Sequence, residues 1–292
     1  MRVAPNVACP SVRVAPRGLA SVRMALHARR TRCTRGHCVG VVQTACTRLV
    51  PWHSRRVTDV GKRLEALDWS AIERSIWEHG YAKTPPVLTP AECTELIALY
   101  EDERRFRSRI DMARYRFGIG EYKYFAAPLP PLVETLRERA YPPLAAIANQ
   151  WQAALGDPDV FPNALAALLR RCHKRGQTKP TPLLLRYEAG GYNCLHQDLY
   201  GDVVFPLQLT CFLSRRGVDY EGGDFLLVEQ RPRAQSRGES IATEQGEIVI
   251  FTTRHRPVEG TRGVYRVAMR HGVSRITRGL RYTLGVIFHD AK

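Results

Sequence analysis

In CLHQDLYG, residues 194–201, a histidine and an aspartate stand two positions apart. On an extended strand successive side chains alternate faces, so His196 and Asp198 aim an imidazole and a carboxylate at one point. These are two of the three donors of a two-histidine, one-carboxylate iron site, which leaves coordination positions open for a reaction. A surface histidine beside a turn aspartate has the same spelling, and the pair by itself leaves both readings open. A third donor must come from another strand, and three downstream histidines compete. His255, in TTRHRPVEGTRG, lies among arginines, proline and glycines and reads as a loop residue. His271 follows Tyr265, Val267 and Met269 on one face of a strand, an inward setting. His289 ends RYTLGVIFHD on the face shared by Arg281, Thr283, Gly285 and Ile287.

Arg281 helps to choose. An arginine on an inward face is costly unless it meets an anion, and its planar fork suits a carboxylate. If that anion is one end of a small diacid whose other end chelates the metal, the arginine must lie close to the ion. His289 stands eight strand residues beyond Arg281, about 26 Å at about 3.3 Å each, too far for a five-carbon acid to bridge. His271 returns beside Arg281 on a neighbouring strand if the chain turns at Thr277, Arg278 and Gly279. The spacing selects His271.

The elements that hold these residues follow from periodicity. LDWSAIERSIWEHGY has helical spacing, and LTPAECTELIALYEDERR starts with Thr89 as N-cap and Pro90 in the first turn. PPLVETLRERAYPPLAAIANQWQAALG reads as two helical runs broken at Pro142 and Pro143, and FPNALAALLRRCHKRG as a short helix ending at Gly176. After residue 178 the period switches to two. LLLRYEAGG, FPLQLTCFLS, GDFLLVEQ, GEIVIFTT, GVYRVAMRHGV and RYTLGVIF are short, apolar or β-branched, and punctuated by glycine, proline or charge. Helices followed by closely spaced strands predict an α+β chain, a jelly roll buttressed by helices.

The net charge of +16 suggests a polyanionic partner, but its distribution is uneven. Residues 1–58 hold eleven arginines and no lysine or acid, whereas the remainder has 33 basic against 28 acidic residues, a net of +5. The segment 1–58 lacks an apolar core pattern and a membrane span, and reads as a disordered tail or a spurious extension, superficially like a transit peptide. Its Cys9, Cys33, Cys38 and Cys46, with His37, fit no established zinc spacing. Residues 59–292 read as one domain, 59–178 helical and 179–292 the β core. Cys93, Cys172, Cys194 and Cys211 there read as reduced, packed thiols of a cytoplasmic protein.

HQD, EGGDFLL, RHGV and GLRYT, in that order, resemble the Fe(II)/2-oxoglutarate-dependent oxygenases. The resemblance implies a double-stranded β-helix, iron held by His196, Asp198 and His271, and oxygen and 2-oxoglutarate as co-substrates. It also implies that Arg281 binds the far carboxylate of 2-oxoglutarate, helped by Thr283 and by Tyr187 of LLRYEAGG. Across residues 110–291, RFGIGEYKYFAAPLP, EQRPRAQSR and RHGVSRITRGLRYTLGVIFHDA resemble a bacterial group associated with oxidative demethylation of damaged DNA. A nucleic-acid partner, and no membrane, is the expectation. Arg104, Arg105, Arg107, Arg109, Arg114 and Arg116, interleaved with Phe106, Tyr115, Phe117, Tyr122, Tyr124 and Phe125, supply phosphate grips and stacking rings. RRCHKRGQTK and EQRPRAQSR are expected to line the same mouth. A salt-bridged helix followed by core aromatics fits the arginine-rich stretch equally well. Two rival functions stay open: hydroxylation of a protein side chain or small molecule at the same iron, and a non-catalytic jelly-roll binding module.

Overall fold

The computed structural model describes residues 52–199 and 201–292. Five helices, α1 (Trp52–Glu65), α2 (Trp69–His79), α3 (Pro90–Ala98), α4 (Pro131–Ala154) and α5 (Leu165–Lys174), occupy the N-terminal half. Strands β1 (Tyr81–Lys83), β2 (Phe106–Asp111), β3 (Gly118–Ile119) and β4 (Glu121–Phe125) lie among them. Then come β5 (Leu183–Glu188), β6 (Tyr192–His196), β7 (Leu207–Phe212), β8 (Tyr220–Gly222) and β9 (Phe225–Gln230). The chain closes with β10 (Arg237–Ile241), β11 (Ile248–Thr252), β12 (His255–Gly260), β13 (Gly263–Val273) and β14 (Ile276–Val286). The expected tail lies outside the described residues, except that α1 already begins at Trp52. The tail cysteines and His37 lie outside them entirely.

Two antiparallel sheets form the β core, ordered β1-β11-β7-β14-β5-β4-β2 with β8 also on β14, and β10-β9-β13-β6-β3 with β12 on β13. This is the expected jelly roll. The central major-sheet strands β7 and β11 are nearly continuous apolar runs because both faces are covered. Leu184, Leu209, Cys211, Ile250, Leu284 and Val286 face the helices in one core with Leu136, Ala140, Leu144 and Trp151 of α4. The alternate residues face the second sheet, where Phe212, Phe225, Leu227, Val249, Phe251 and Met269 form an inner core.

Local chemistry fixes the helix ends. Thr89 caps α3, as the sequence predicts, and with Glu92 closes a reciprocal capping box; both carboxylate oxygens of Glu92 also accept from Nη2 of Arg63 on α1. The break expected at Pro142 and Pro143 does not occur: α4 runs unbroken through both. Each proline forfeits a backbone hydrogen bond at a cost of about 3 kcal/mol. Ala140, Tyr141, Leu144 and Ala145, all fully buried around them, hold the helix on the sheet regardless. Pro142 itself faces solvent.

The turn expected at Thr277–Gly279 is also absent. Those residues lie inside β14, and the chain instead crosses at Ser274 and Arg275 from β13 in one sheet to β14 in the other. His271 and Arg281 therefore face each other across the sandwich rather than side by side. The arginine-rich stretch 104–125 is no helix. It folds as the end of a 3-10 turn at Glu103–Arg105, β2, a second 3-10 turn at Ala113–Tyr115, β3 and β4.

His289, beyond β14, is fully buried and accepts a hydrogen bond at Nδ1 from the Phe205 amide. Burial, reinforced by the nearby Arg137 guanidinium, lowers its imidazole to about 4. The unfolded chain protonates this ring near 6.5, so its contribution is complete above that pH and lost as pH falls toward 4, at most about 3 kcal/mol. His289→Asn preserves an acceptor and removes the titration. The stability gap between wild type and variant, read by denaturant unfolding, should narrow from pH 7 to pH 5. A constant gap contradicts the assignment.

Candidate metal centre and its cleft

The centre is assembled from both sheets. On the minor sheet His196, the last residue of β6, stands in register with His271 of β13, which places both rings on one face with centroids 4.2 Å apart. Asp198 follows where β6 has ended and is buried. Its Oδ1 lies 3.5 Å from His196 Nε2 and its Oδ2 lies 3.2 Å from His271 Nε2. All three ligand atoms fall within 4.8 Å of one another. Two donors held at right angles about 2.1 Å from one ion lie about 3 Å apart, so the set fits a metal.

Neighbours orient the donors. His196 Nδ1 lies 2.8 Å from the Cys194 carbonyl. A carbonyl only accepts, so Nδ1 carries the proton and Nε2 is left with its lone pair. Phe225 and Phe251 flank the His271 ring at 6.1 Å and 4.7 Å. Burial would raise the Asp198 carboxyl, but His271, His196 and the Gln208 amide outweigh it and hold it well below the usual carboxylate range. Burial, then repulsion from His271, lowers the His196 imidazole. Both shifts favour the deprotonated forms that bind metal.

Gln208 is a residue that the sequence reading missed. It projects from β7 of the major sheet and donates from Nε2 to Asp198 Oδ2 at 2.7 Å, tying the two sheets at the centre. The available signal was an amide in phase with Thr210 and Phe212 within the apolar strand FPLQLTCFLS. Gln208→Leu is expected to weaken Fe(II) binding about 10–100-fold, the usual effect of losing a group that orients a ligand. Anaerobic iron titration checks this; an unchanged affinity would reduce Gln208 to packing.

Arg281 sits on β14 opposite Tyr187 of β5 and is 1 % exposed. Its guanidinium carbon lies 5.6 Å from the Tyr187 ring centroid, 5.3 Å from Phe212 and 5.8 Å from Tyr220. Its Nε and Nη1 and the Tyr187 Oη are buried without a hydrogen-bond partner, Asn193 lying beside the phenol but outside bonding geometry. Burial pushes that phenol up to about 12, so it is a neutral donor. Aromatic faces compensate a buried guanidinium only in part, and the remaining donors suit an anion. Thr283 is buried two residues on, on the same face as Gly285 and Ile287.

Gly285 and Ile287 line a cleft of about 380 Å³ that also receives His196, Asp198 and His271. A side chain at Gly285 would meet Leu183 at 2.8 Å. Tyr122 and Tyr124 of β4 form another wall, their rings edge to face at 5.4 Å, and Arg116 and Phe117 reach the mouth. Exposed Tyr115, Phe117, Ile119, Tyr192, Leu195 and Leu199 belong to the segments around that mouth.

Of the six arginines expected there, Arg116 alone lines the cleft. Arg104 and Arg105 pair with Asp102, Arg109 pairs with Glu121, Arg107 donates to the Pro180 carbonyl, and Arg114 lies over the Tyr115 ring. The segment EQRPRAQSR corrects the expectation more strongly. It joins β9 to β10, its Arg231 and Arg237 pair with Glu229 and Glu239, and it contributes nothing to this cleft. His255 is a strand residue at the start of β12, not a loop residue, and stays outside the donor set. Cys93, Cys172 and Cys211 are buried thiols as expected, whereas Cys194 is exposed at the cleft.

A family model described as an oxygenase catalysing oxidative methylation of damaged DNA matches residues 120–291, more than half of the chain. The chain is 50% identical over 167 residues to an uncharacterized protein found in two strains of Mycobacterium tuberculosis, covering 57% of this chain and 72% of the relative. Among solved structures it is similar to a Pseudomonas putida prolyl-4-hydroxylase (14% identity, TM-score 0.43), over 74% of this chain and 96% of that one. It is also similar to an oxidoreductase of the 2OG-Fe(II) oxygenase family from Burkholderia pseudomallei (13% identity, TM-score 0.46), over 76% and 91%. No helix among the described residues is long and apolar enough to cross a membrane.

Proposed function

The chain belongs to the Oxygenase-NA family, and from that premise we propose that it is a 2-oxoglutarate- and Fe(II)-dependent oxygenase that demethylates N-alkylated bases in DNA. His196, Asp198 and His271 hold the iron in this reading, and Arg281, Tyr187 and Thr283 receive the far carboxylate of 2-oxoglutarate. The bound metal and co-substrate supply oxidation of a C–H bond, coupled to conversion of 2-oxoglutarate and oxygen to succinate and carbon dioxide. Inserting one oxygen atom into N–CH₃ gives N–CH₂OH. That carbon then leaves as formaldehyde and the base nitrogen regains a hydrogen, so oxidation at the methyl carbon removes the methyl group.

The protein's own share is positioning and shielding. Asp198 keeps its charge against burial, Gln208 fixes the orientation of its carboxylate, and the Phe225 and Phe251 rings box the His271 imidazole. Arg281 and Tyr187 offer donors on the opposite sheet, which orients a diacid across the sandwich.

The observation that carries the nucleic-acid reading is the wall of the cleft. Tyr122, Tyr124 and Phe117 enclose a space with the metal donors in its lining and Arg116 at its mouth. A base swung out of its stack needs such aromatic faces, and an adjacent cation suits its phosphate. The test is mass spectrometry of single- and double-stranded oligonucleotides carrying N-methylated adenine or cytosine, incubated with Fe(II), 2-oxoglutarate and air. Loss of one methyl group per base is expected. Intact oligonucleotide beside hydroxylated protein or small-molecule substrates would move the assignment to the hydroxylase reading.

A further inference from the structure

A second cleft of about 730 Å³ adjoins the first, and Leu199, next to Asp198, lines both. Gln197 pins this divide, donating from Nε2 to the Arg254 carbonyl at 3.0 Å and the Met269 carbonyl at 2.9 Å. The lining is rich in cations: Arg171, Lys174 and Arg175 from the end of α5 and just beyond it, Arg254 before β12, and Arg266 on β13. Its acids are largely engaged, because Asp157 pairs with Arg266 at 3.3 Å and Asp202 with Lys292 at 3.1 Å.

Among the described residues Lys174, Arg175 and Arg254 form no ion pair, and Arg171 reaches only the Val160 carbonyl. Asp159 is the one carboxylate of the lining left without a cation. The resulting field is felt at His255, whose imidazole is lowered by burial and then by Arg254 and Arg266. Exposed cations without carboxylate partners, gathered in one concavity, attract a polyanion and release its counterions on binding.

We propose that this second cleft holds the phosphodiester backbone of a single nucleic-acid strand whose modified base enters the metal cleft past Leu199. The inference rests on the demethylase reading and adds the path of the strand. The strand's phosphates run along the end of α5 toward Arg254, and Leu199 separates the base that is turned inward from its neighbour. RRCHKRGQTK, expected at the mouth of the metal cleft, thus serves nucleic acid from a different cleft than Arg116.

The probe is a fluorescein-labelled single-stranded oligodeoxynucleotide carrying one N-methylated base, titrated by anisotropy over a range of salt. The double variant Lys174→Glu/Arg175→Glu is expected to bind at least tenfold more weakly, with a salt slope shallower by about one to two. Arg254→Gln should shift both in the same direction by less, and KM for demethylation of the same oligonucleotide should rise in both variants. Arg139→Glu, whose arginine pairs with Glu65 on α1 away from either cleft, controls for charge reversal at a remote site and should change binding less than twofold. Unchanged affinity and slope in both cleft variants, with wild type still demethylating the oligonucleotide, would overturn the strand path and leave the function standing. An equal loss in Arg139→Glu, or displacement of the oligonucleotide by polyglutamate of matched charge, would overturn it as well. No methyl loss from any alkylated nucleic acid would remove both readings together.

Discussion

Arg281→Ala is expected to weaken the apparent affinity for 2-oxoglutarate more than a hundredfold while leaving Fe(II) binding within a fewfold of wild type. The side chain is buried, surrounded by three aromatic rings, and keeps two nitrogens without an acceptor. Removing one side of a buried charge-assisted pair costs roughly 3–5 kcal/mol, the basis of the fold-change. Anaerobic titration of 2-oxoglutarate into the Fe(II)-loaded protein reads the effect directly. Arg281→Lys should recover only part of it, because an ammonium cannot reproduce the planar fork. Thr283→Ala should move affinity the same way by less. An unchanged affinity in Arg281→Ala would place the co-substrate elsewhere and leave the guanidinium a purely structural cation.

His271→Ala should abolish stoichiometric Fe(II) binding, whereas His255→Ala should retain it. His271 Nε2 lies 3.2 Å from Asp198 Oδ2, and its ring faces His196 at 4.2 Å. His255 belongs instead to the lining of the second cleft. A tridentate site reduced to two donors loses affinity by orders of magnitude, and the bidentate remnant does not hold iron against a competing chelator. Iron retained by His271→Ala but lost by His255→Ala would overturn the triad.

Part of the donor set was legible because period-two alternation survives sheet packing: the inward row Val267, Met269 and His271 follows from a strand's geometry. Asp198 lies beyond the end of β6, so its pairing with His196 came from the order of the motifs and not from strand alternation. The route between His271 and Arg281 was not legible. A turn at Thr277–Gly279 and a crossover at Ser274 and Arg275 place the same residue types at similar separations, and only long-range pairing decides between them. The strands β2 and β4 were hidden by their charges: FRSRID and EYKYF lie near the sheet edge, where Arg109–Glu121 and Lys123–Glu103 pairs satisfy them. The unbroken α4 shows tertiary burial overriding a local rule. Gln208 and the second cleft required three dimensions, because each joins residues that no sequence period relates.

The most direct test is to measure succinate and formaldehyde together from one reaction of the full chain with Fe(II), 2-oxoglutarate, oxygen and an N-methylated single-stranded oligonucleotide. Equal amounts of the two products, each dependent on iron and abolished by Asp198→Ala, are the predicted result. Succinate formed without formaldehyde, and with the oligonucleotide mass unchanged, would contradict DNA demethylation; no succinate under any condition would contradict the oxygenase assignment itself.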